Sequence, residues 1–404
     1  MERANRRQFL TAAGLAGLGS ALGAGPAEGA ASQPARDRVE FYGAHQPGIT
    51  TASQGYVHFV SLDFASDSAG DLRALLGTLS AGAAELMAGR AVGPMRTGAS
   101  PPVDTGEAAG LGASRLTVTI GLGPALFRQG RLGLASRRPE PLAKLPGFAG
   151  DALRGSLCGG DIGIQICADD PQVTFHAAHD LTRLAAPIAM PRWALAGFGR
   201  TLNERGSPTP RNLMGFKDGT ANIMRGDRAA LDRFVWAREP GSPKWMRGGS
   251  YMVVRRIEML LANWDSISLD QQEQTFGRHK LSGAPLGEHH EFSPLNLSAR
   301  SHGHLRIPGH AHVRLASPQY NHGERILRRG YSYAGGVDRG EQSVAGGQLF
   351  ICYQRDPRRQ FIPIQRRLAR GDMLGEHIRH IGSAIFACPP GASPGGYVGA
   401  GLFS

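Results

Sequence analysis

Histidines are the first residues in this chain whose number and spacing could do chemistry. Of fourteen, seven fall between His279 and His312. His302 and His304 form one HxH pair, His310 and His312 another, and His289 and His290 are adjacent. On a strand, residues two apart send both imidazoles to the same face, which suits a Zn2+ or mononuclear iron site. No further ligand follows at a diagnostic spacing, and histidines in Gly/Ser-rich loops are common at surfaces. A histidine-rich metal-binding protein without catalysis therefore stands as one reading. His312 differs in its setting, AHVRLA: beside Val313 and Leu315 it is either a metal ligand held against an apolar wall or a hydrogen-bonded core histidine.

Two other short segments carry polar groups in unusual company. In GFKDGT, Gly215 and Gly219 flank Asp218, and glycines there permit positive φ or the close approach of a bulky ligand. Taken alone, the hexapeptide reads equally as an Asx turn in which Asp218 caps its own backbone. In GERILRRGYSY, Arg328 and Arg329 precede Gly330, and two arginines before a turn are ordinarily solvated.

These segments need a scaffold, and the hydropathy pattern supplies one. Strands are expected at 56–64 (YVHFVSLDF), 116–122, 162–168 and 191–198, with helices over 71–87 and from Pro171 onward. That order is the split βαββαβ plan. The second half predicts strands at 250–261, 347–354 and 383–388 with helices at 269–276 and 371–379, again an α+β plan, though no residue-level repeat relates the halves. Residues 280–330 lack periodicity, and such a stretch in a compact domain is usually functional or disordered.

Composition narrows the class further. The chain is basic, with 45 Lys+Arg against 33 Asp+Glu, and lysine supplies only four of the cations, so arginine suited to carboxylates or phosphates carries the excess. No nucleic-acid module and no basic block interleaved with aromatics is present, which argues against DNA or RNA as a partner. Four scattered cysteines are too few for a disulfide framework. MERANRRQFL followed by a Gly/Ala-rich apolar run places Arg6 and Arg7 where a twin-arginine export signal has them. That run is well short of the roughly 20 residues a membrane span needs, so no stable membrane insertion is expected. Residues 1–31 are expected to be this signal, with a periplasmic or secreted destination reached in the folded state through the twin-arginine export machinery.

Beyond these local readings, the chain closely resembles the dye-decolourising peroxidases, in particular the exported deferrochelatase/peroxidase subgroup. The resemblance runs through FYGAHQPGIT, GDIGIQICADD, NLMGFKDGTAN, HVRLA, ILRRGYSY and LFICYQRDPRRQFIPIQ, and GFKDGT contains the family's GxxDG signature. It implies an α+β fold of two ferredoxin-like domains with antiparallel sheets, of the dimeric α+β barrel type, over residues 39–200 and 211–404. Haem b (iron protoporphyrin IX) would be held mainly by the second domain, and the protein would form a homodimer. His312 would be the ligand to the haem iron, Asp218 the distal acid-base residue and Arg329 the distal arginine, chosen over Arg328 because it directly precedes Gly330-Tyr331. Asp372 would accept the second imidazole proton of His312. Gly215, Phe216, Gly219 and Thr220 would contact the cofactor, and Phe350 would either pack against the macrocycle or belong to the core. The implied reaction reduces hydrogen peroxide and oxidises dyes, phenols or porphyrinogen-like donors. The subgroup's name implies an alternative, in which haem is the substrate and iron is released with the porphyrin intact.

Overall fold

The computed structural model describes residues 37–93, 101–338 and 343–404. The expected export signal lies outside them. The strands of the first half are β1 (Tyr56–Phe64), β2 (Thr117–Leu122), β3 (Ile162–Ala168) and β4 (Ala189–Phe198). Between them run helices α1 (Ala69–Met87) and α2 (Pro171–Ala185). Local chemistry explains the helix starts. Ser68 accepts from the Asp71 amide at 3.2 Å to open α1. Asp170 accepts from the amides of Gln172 and Val173 at 2.7 and 3.1 Å to open α2, with Pro171 at the first position, where no N–H is needed.

The second half begins with α3 (Arg228–Phe234), β5 (Ser250–Met259), α4 (Leu261–Asp265) and α5 (Leu269–Phe276). A hairpin of β6 (Arg300–Ser301) and β7 (His304–Leu305), the short helix α6 (His312–Ala316), β8 (Leu327–Arg328) and β9 (Tyr331–Asp338) follow. The chain closes with β10 (Ser343–Gln354), α7 (Phe361–Gly371) and β11 (Ile378–Cys388). The helix expected at 371–379 is displaced: α7 ends at Gly371, and only a 3-10 turn over Met373–Glu376 precedes β11. Pro363 lies in the first turn of α7, where its missing N–H costs nothing.

The fold expectation requires correction. Instead of two ferredoxin-like antiparallel sheets of the dimeric α+β barrel type, both halves contribute to one nine-stranded sheet in a mixed α/β fold. Its order is β5-β11-β2-β3-β1-β4-β9-β10-β8, with β5 also pairing β10. The halves are spliced where β11 meets β2 (Ala387 opposite Leu122) and where β4 meets β9 (Phe198 opposite Ser332). A separate sheet in each half would end in bare N–H and C=O edges, and these splices pair them instead. Element order along the chain carries no information about such joins.

Most strands are covered on both sides. Along β10, Leu349, Ile351 and Tyr353 enter one apolar cluster while Cys352 enters the other and Phe350 packs against it. Period-two alternation thus sends Gln348 and Phe350 to the same side of β10. That side, together with Ile257 and Met259 of β5 and His380 of β11, floors a cavity roofed by α6 and α7.

Candidate functional site

The cavity has about 490 Å³ of internal space and is partly open to solvent. Met259, Phe276, Val313, Phe350, Phe361 and Leu368 give it apolar walls, and polar groups enter at two places.

One is His312, the first residue of α6. The segment leading into it is tied to the end of α7: His310 Nδ1 lies 2.9 Å from the Gly371 carbonyl, and the Met373 amide donates to the His310 carbonyl at 3.1 Å. This brings Asp372 against His312, with Oδ2 2.6 Å from Nδ1. Asp372 is itself fixed, because its Oδ1 caps the following turn by accepting from the Leu374 amide at 3.0 Å. The imidazole keeps Nε2 for a ligand and a third of its surface open onto the cavity it lines. Burial alone would push its pKa down, but the charge and hydrogen bond of Asp372 outweigh burial and the net direction is up. An imidazole oriented by a carboxylate, with its other nitrogen facing an apolar space, is the arrangement of a metal-ligating histidine with an outer-sphere partner.

The other is Asp218, in a turn whose backbone conformation depends on glycine. Gly219 has φ +118°, and a Cβ there would lie 2.4 Å from the Leu202 amide nitrogen. Lys217 and Thr220 anchor the turn from both sides on Glu291, at 2.5 and 2.9 Å. Three donors converge on the Asp218 carboxylate. Arg328 Nη1 reaches Oδ1 at 2.5 Å, and Gln348 Nε2 and Thr201 Oγ1 reach Oδ2 at 2.9 and 3.1 Å. A carboxylate offers about four lone-pair positions, so one remains for a ligand proton.

The arginine expectation is therefore corrected: Arg328, not Arg329, stands beside Asp218 and lines the cavity. Arg329 is almost wholly buried on the other side of the chain, donating to the Thr51 carbonyl at 2.6 Å and to Gln54 Oε1. Neighbouring residues in extended backbone face opposite ways, so a one-residue choice decides between active cavity and core. Asn222 sets the register. Its amide group donates to the Arg328 carbonyl at 2.9 Å and accepts from the Arg328 amide at 2.8 Å, clamping the GFKDGTAN turn to β8.

Of the other expected residues, Gly219, Thr220, Phe350 and Asp372 line the cavity. Gly215 and Phe216 do not: Gly215 turns the chain at φ +85°, and Phe216 is buried against Trp264 and Phe276 beneath the site. The remaining histidines of the 279–312 region do not gather into a ligand set among the described residues. His302 and His304 sit exposed in the β6–β7 hairpin, and His310 is exposed with its ring on the Gly371 carbonyl. Gln348, Thr201 and Asn222 escaped sequence reasoning. Only the alternation of Gln348 with Phe350 along β10 could have signalled one of them.

An imidazole backed by a carboxylate and a carboxylate–guanidinium pair, all on the walls of one apolar cavity, make this a candidate cofactor pocket. Comparison with known proteins gives the protein's family. The Dyp-type peroxidase N-terminal and C-terminal family models match residues 46–199 and 209–393. The chain is 41% identical to the dye-decolorizing peroxidase of Thermobifida fusca, over 98% of this chain and 97% of that one. It is 37% identical to the deferrochelatase of Escherichia coli K12, over 90% and 87%. Among solved structures, ferric DtpA from Streptomyces lividans superimposes with a TM-score of 0.83 at 42% identity, covering 91% of this chain and 97% of that one. The chain belongs to the Dyp-type peroxidase family.

Proposed function

We propose that this protein holds haem b in the cavity and uses it to reduce hydrogen peroxide at the expense of an organic electron donor. The observation that carries the reading is the joint placement of His312 with Asp372 behind it and Asp218 with Arg328 beside it, all lining one apolar space. The residues present fit the group. Ile257, Met259, Phe350, Phe361 and Leu368 make much of the floor and roof apolar, as a macrocycle requires. Arg325 and Arg370 line the same cavity with no ion-pair partner among the described residues, and suit the two propionates. Ferric and oxyferrous DtpA from Streptomyces lividans, at 42% identity, support the same cofactor.

When bound, the iron porphyrin would supply the electrons that cleave the O–O bond and hold the oxidising equivalents until a donor returns them. The chain's own residues do the rest. His312 Nε2 would hold the iron, and Asp372, by accepting a hydrogen bond from Nδ1–H, would make the imidazole a stronger donor. Asp218 accepts a proton from one oxygen of peroxide and delivers it to the other, so that water can leave. Arg328 keeps a positive charge beside the oxygen on which negative charge grows. Gln348 and Thr201 hold the second carboxylate oxygen, so the first faces the ligand in a constant position.

Release of iron from haem is a second reading, favoured by the likeness to curated deferrochelatases at 36–37% identity. Haem and reductant without peroxide separate the two, because iron release alone would yield metal-free porphyrin fluorescence. Among the described residues no helix is long and apolar enough to cross a membrane. Arg6 and Arg7 ahead of a Gly/Ala-rich run support export by the twin-arginine route to the periplasm or beyond.

Asp218→Asn tests the peroxidase reading. It preserves shape, so haem should remain bound, and peroxide-driven dye oxidation should fall by about 10²–10⁴-fold, the usual share of general acid-base catalysis. Dye oxidation at the parent rate in the haem-loaded variant would remove Asp218 from the mechanism.

A further inference from the structure

A second cluster of ligating side chains lies in the N-terminal half, and none of its members lines the cavity. Along α2, His176 and Asp180 are one turn apart on the same face. The segment entering β2 brings Asp104 against them. Asp104 Oδ2 and Asp180 Oδ2 each lie 3.6 Å from His176 Nε2, and the three atoms are all within 4.8 Å of one another. We propose that Asp104, His176 and Asp180 bind one divalent transition-metal ion, with Zn2+ the best match.

Four observations point the same way. Asp180 is fully buried, and its Oδ2 has no hydrogen-bond partner among the described residues. A buried carboxylate oxygen without a partner is costly unless something fills the space it faces. Secondly, every other polar atom of the two aspartates is used to aim them. The Thr105 amide donates to Asp180 Oδ1 at 3.2 Å, the Gly106 amide to Asp104 Oδ1 at 2.8 Å, and the Val92 amide to Asp104 Oδ2 at 3.0 Å.

Thirdly, His176 has the outer partner of a metal-ligating histidine. Glu107 Oε2 lies 2.8 Å from its Nδ1, so Nδ1–H can donate to that carboxylate while Nε2 points at the two aspartates, where it would be the metal-binding atom. Glu107 is itself held in place: the Thr105 hydroxyl donates to its Oε2, and His179 Nδ1 lies 2.6 Å from its Oε1. Fourthly, the charges do not balance. Three carboxylates, Asp104, Asp180 and Glu107, crowd the His176 imidazole, and the nearby arginine, Arg183, lies 3.6 Å from Asp180 Oδ1 and is partly exposed, so balance without a metal requires protonation within the cluster.

The donor set selects the metal. One imidazole nitrogen and two carboxylate oxygens suit Zn2+, whereas Ca2+ and Mg2+ prefer all-oxygen shells of six or more ligands. Bonds of about 2.1 Å in tetrahedral geometry separate ligand atoms by roughly 3.4 Å, close to the spacing found here. The rival occupant of the same space is a proton shared between the two aspartates.

The test is titration of the haem-loaded protein, stripped of adventitious metal, with Zn2+ alone, followed by calorimetry and by thermal unfolding with and without the ion. The expected result is one Zn2+ per chain with sub-micromolar affinity and a rise in Tm. Asp180→Asn, which is isosteric and mimics the protonated acid, should weaken binding by at least 100-fold, as should His176→Gln. Peroxide-driven dye oxidation should stay unchanged in Asp180→Asn. The double variant His302→Ala/His304→Ala should bind Zn2+ like the parent. The proposal fails if the parent binds no Zn2+, if Asp180→Asn binds it equally well, or if the hairpin variant loses it. Were His176→Gln not to fold, Asp180→Asn decides by itself.

Discussion

Exchanging the two adjacent arginines separates the mechanism from the scaffold. Arg328 lines the cavity and makes a 2.5 Å charge-assisted contact with Asp218, while its neighbour is almost completely buried, its guanidinium donating to the Thr51 carbonyl and Gln54 Oε1. Replacing Arg328 by Gln removes one positively charged donor from the place where negative charge grows in the transition state. Loss of one such donor costs about 2.7–4 kcal/mol, or roughly 10²–10³ in rate. Haem content and Tm should change little, because the Arg328 side chain is more than a quarter exposed. Arg329→Gln should do the reverse. It abandons two buried hydrogen bonds from a charged group, each worth about 1.5–3 kcal/mol, so stability falls while turnover per bound haem stays within a few-fold of the parent. The assay is stopped-flow reaction with peroxide on both haem-loaded variants, with denaturant unfolding alongside. Peroxide reduction abolished in a folded, haem-loaded Arg329→Gln and intact in Arg328→Gln would overturn the assignment.

Further outcomes follow from the same geometry. His312→Ala should lose the Soret band of bound haem, and Asp372→Asn, which leaves Nδ1 without its carboxylate, should weaken haem retention or turnover by about 10–100-fold. Gly219→Ala should destabilise the fold by about 1–3 kcal/mol and lower activity with it, since φ +118° is strained for any Cβ and the Leu202 amide stands in the way. Burial, reinforced by the charge of Arg255, pushes His380 down to about 3. The unfolded chain therefore takes up a proton below about pH 6.5 that the folded chain refuses until near pH 3, so stability is present above 6.5 and is lost on acidification across that window. The loss is at most about 5 kcal/mol, and a His380→Gln variant, unfolded with denaturant between pH 7 and 4, should show a flatter profile than the parent.

Local signals in the chain identified what is locally encoded. Alternating apolar residues over 56–64 and 162–168 and the Pro171 start of a helix place strands and helices, since these depend on neighbours within a few residues. GFKDGT and HVRLA could be matched as linear motifs, so Asp218 and His312 were legible from resemblance, though each alone reads as a turn or a core residue. What lies beyond that range was decided only by tertiary structure. The pairing of β11 with β2 and of β4 with β9 joins residues more than a hundred positions apart, and nothing in either strand names its partner. Choosing Arg328 over Arg329 needed the register set by Asn222, because successive side chains on extended backbone differ only in the face they occupy. The contacts of Gln348 and Thr201 with Asp218, and of Asp104 with His176 and Asp180, arise where separate elements meet in space. Chemistry at a site depends on distances of a few ångströms, and the chain sets those only once it has packed.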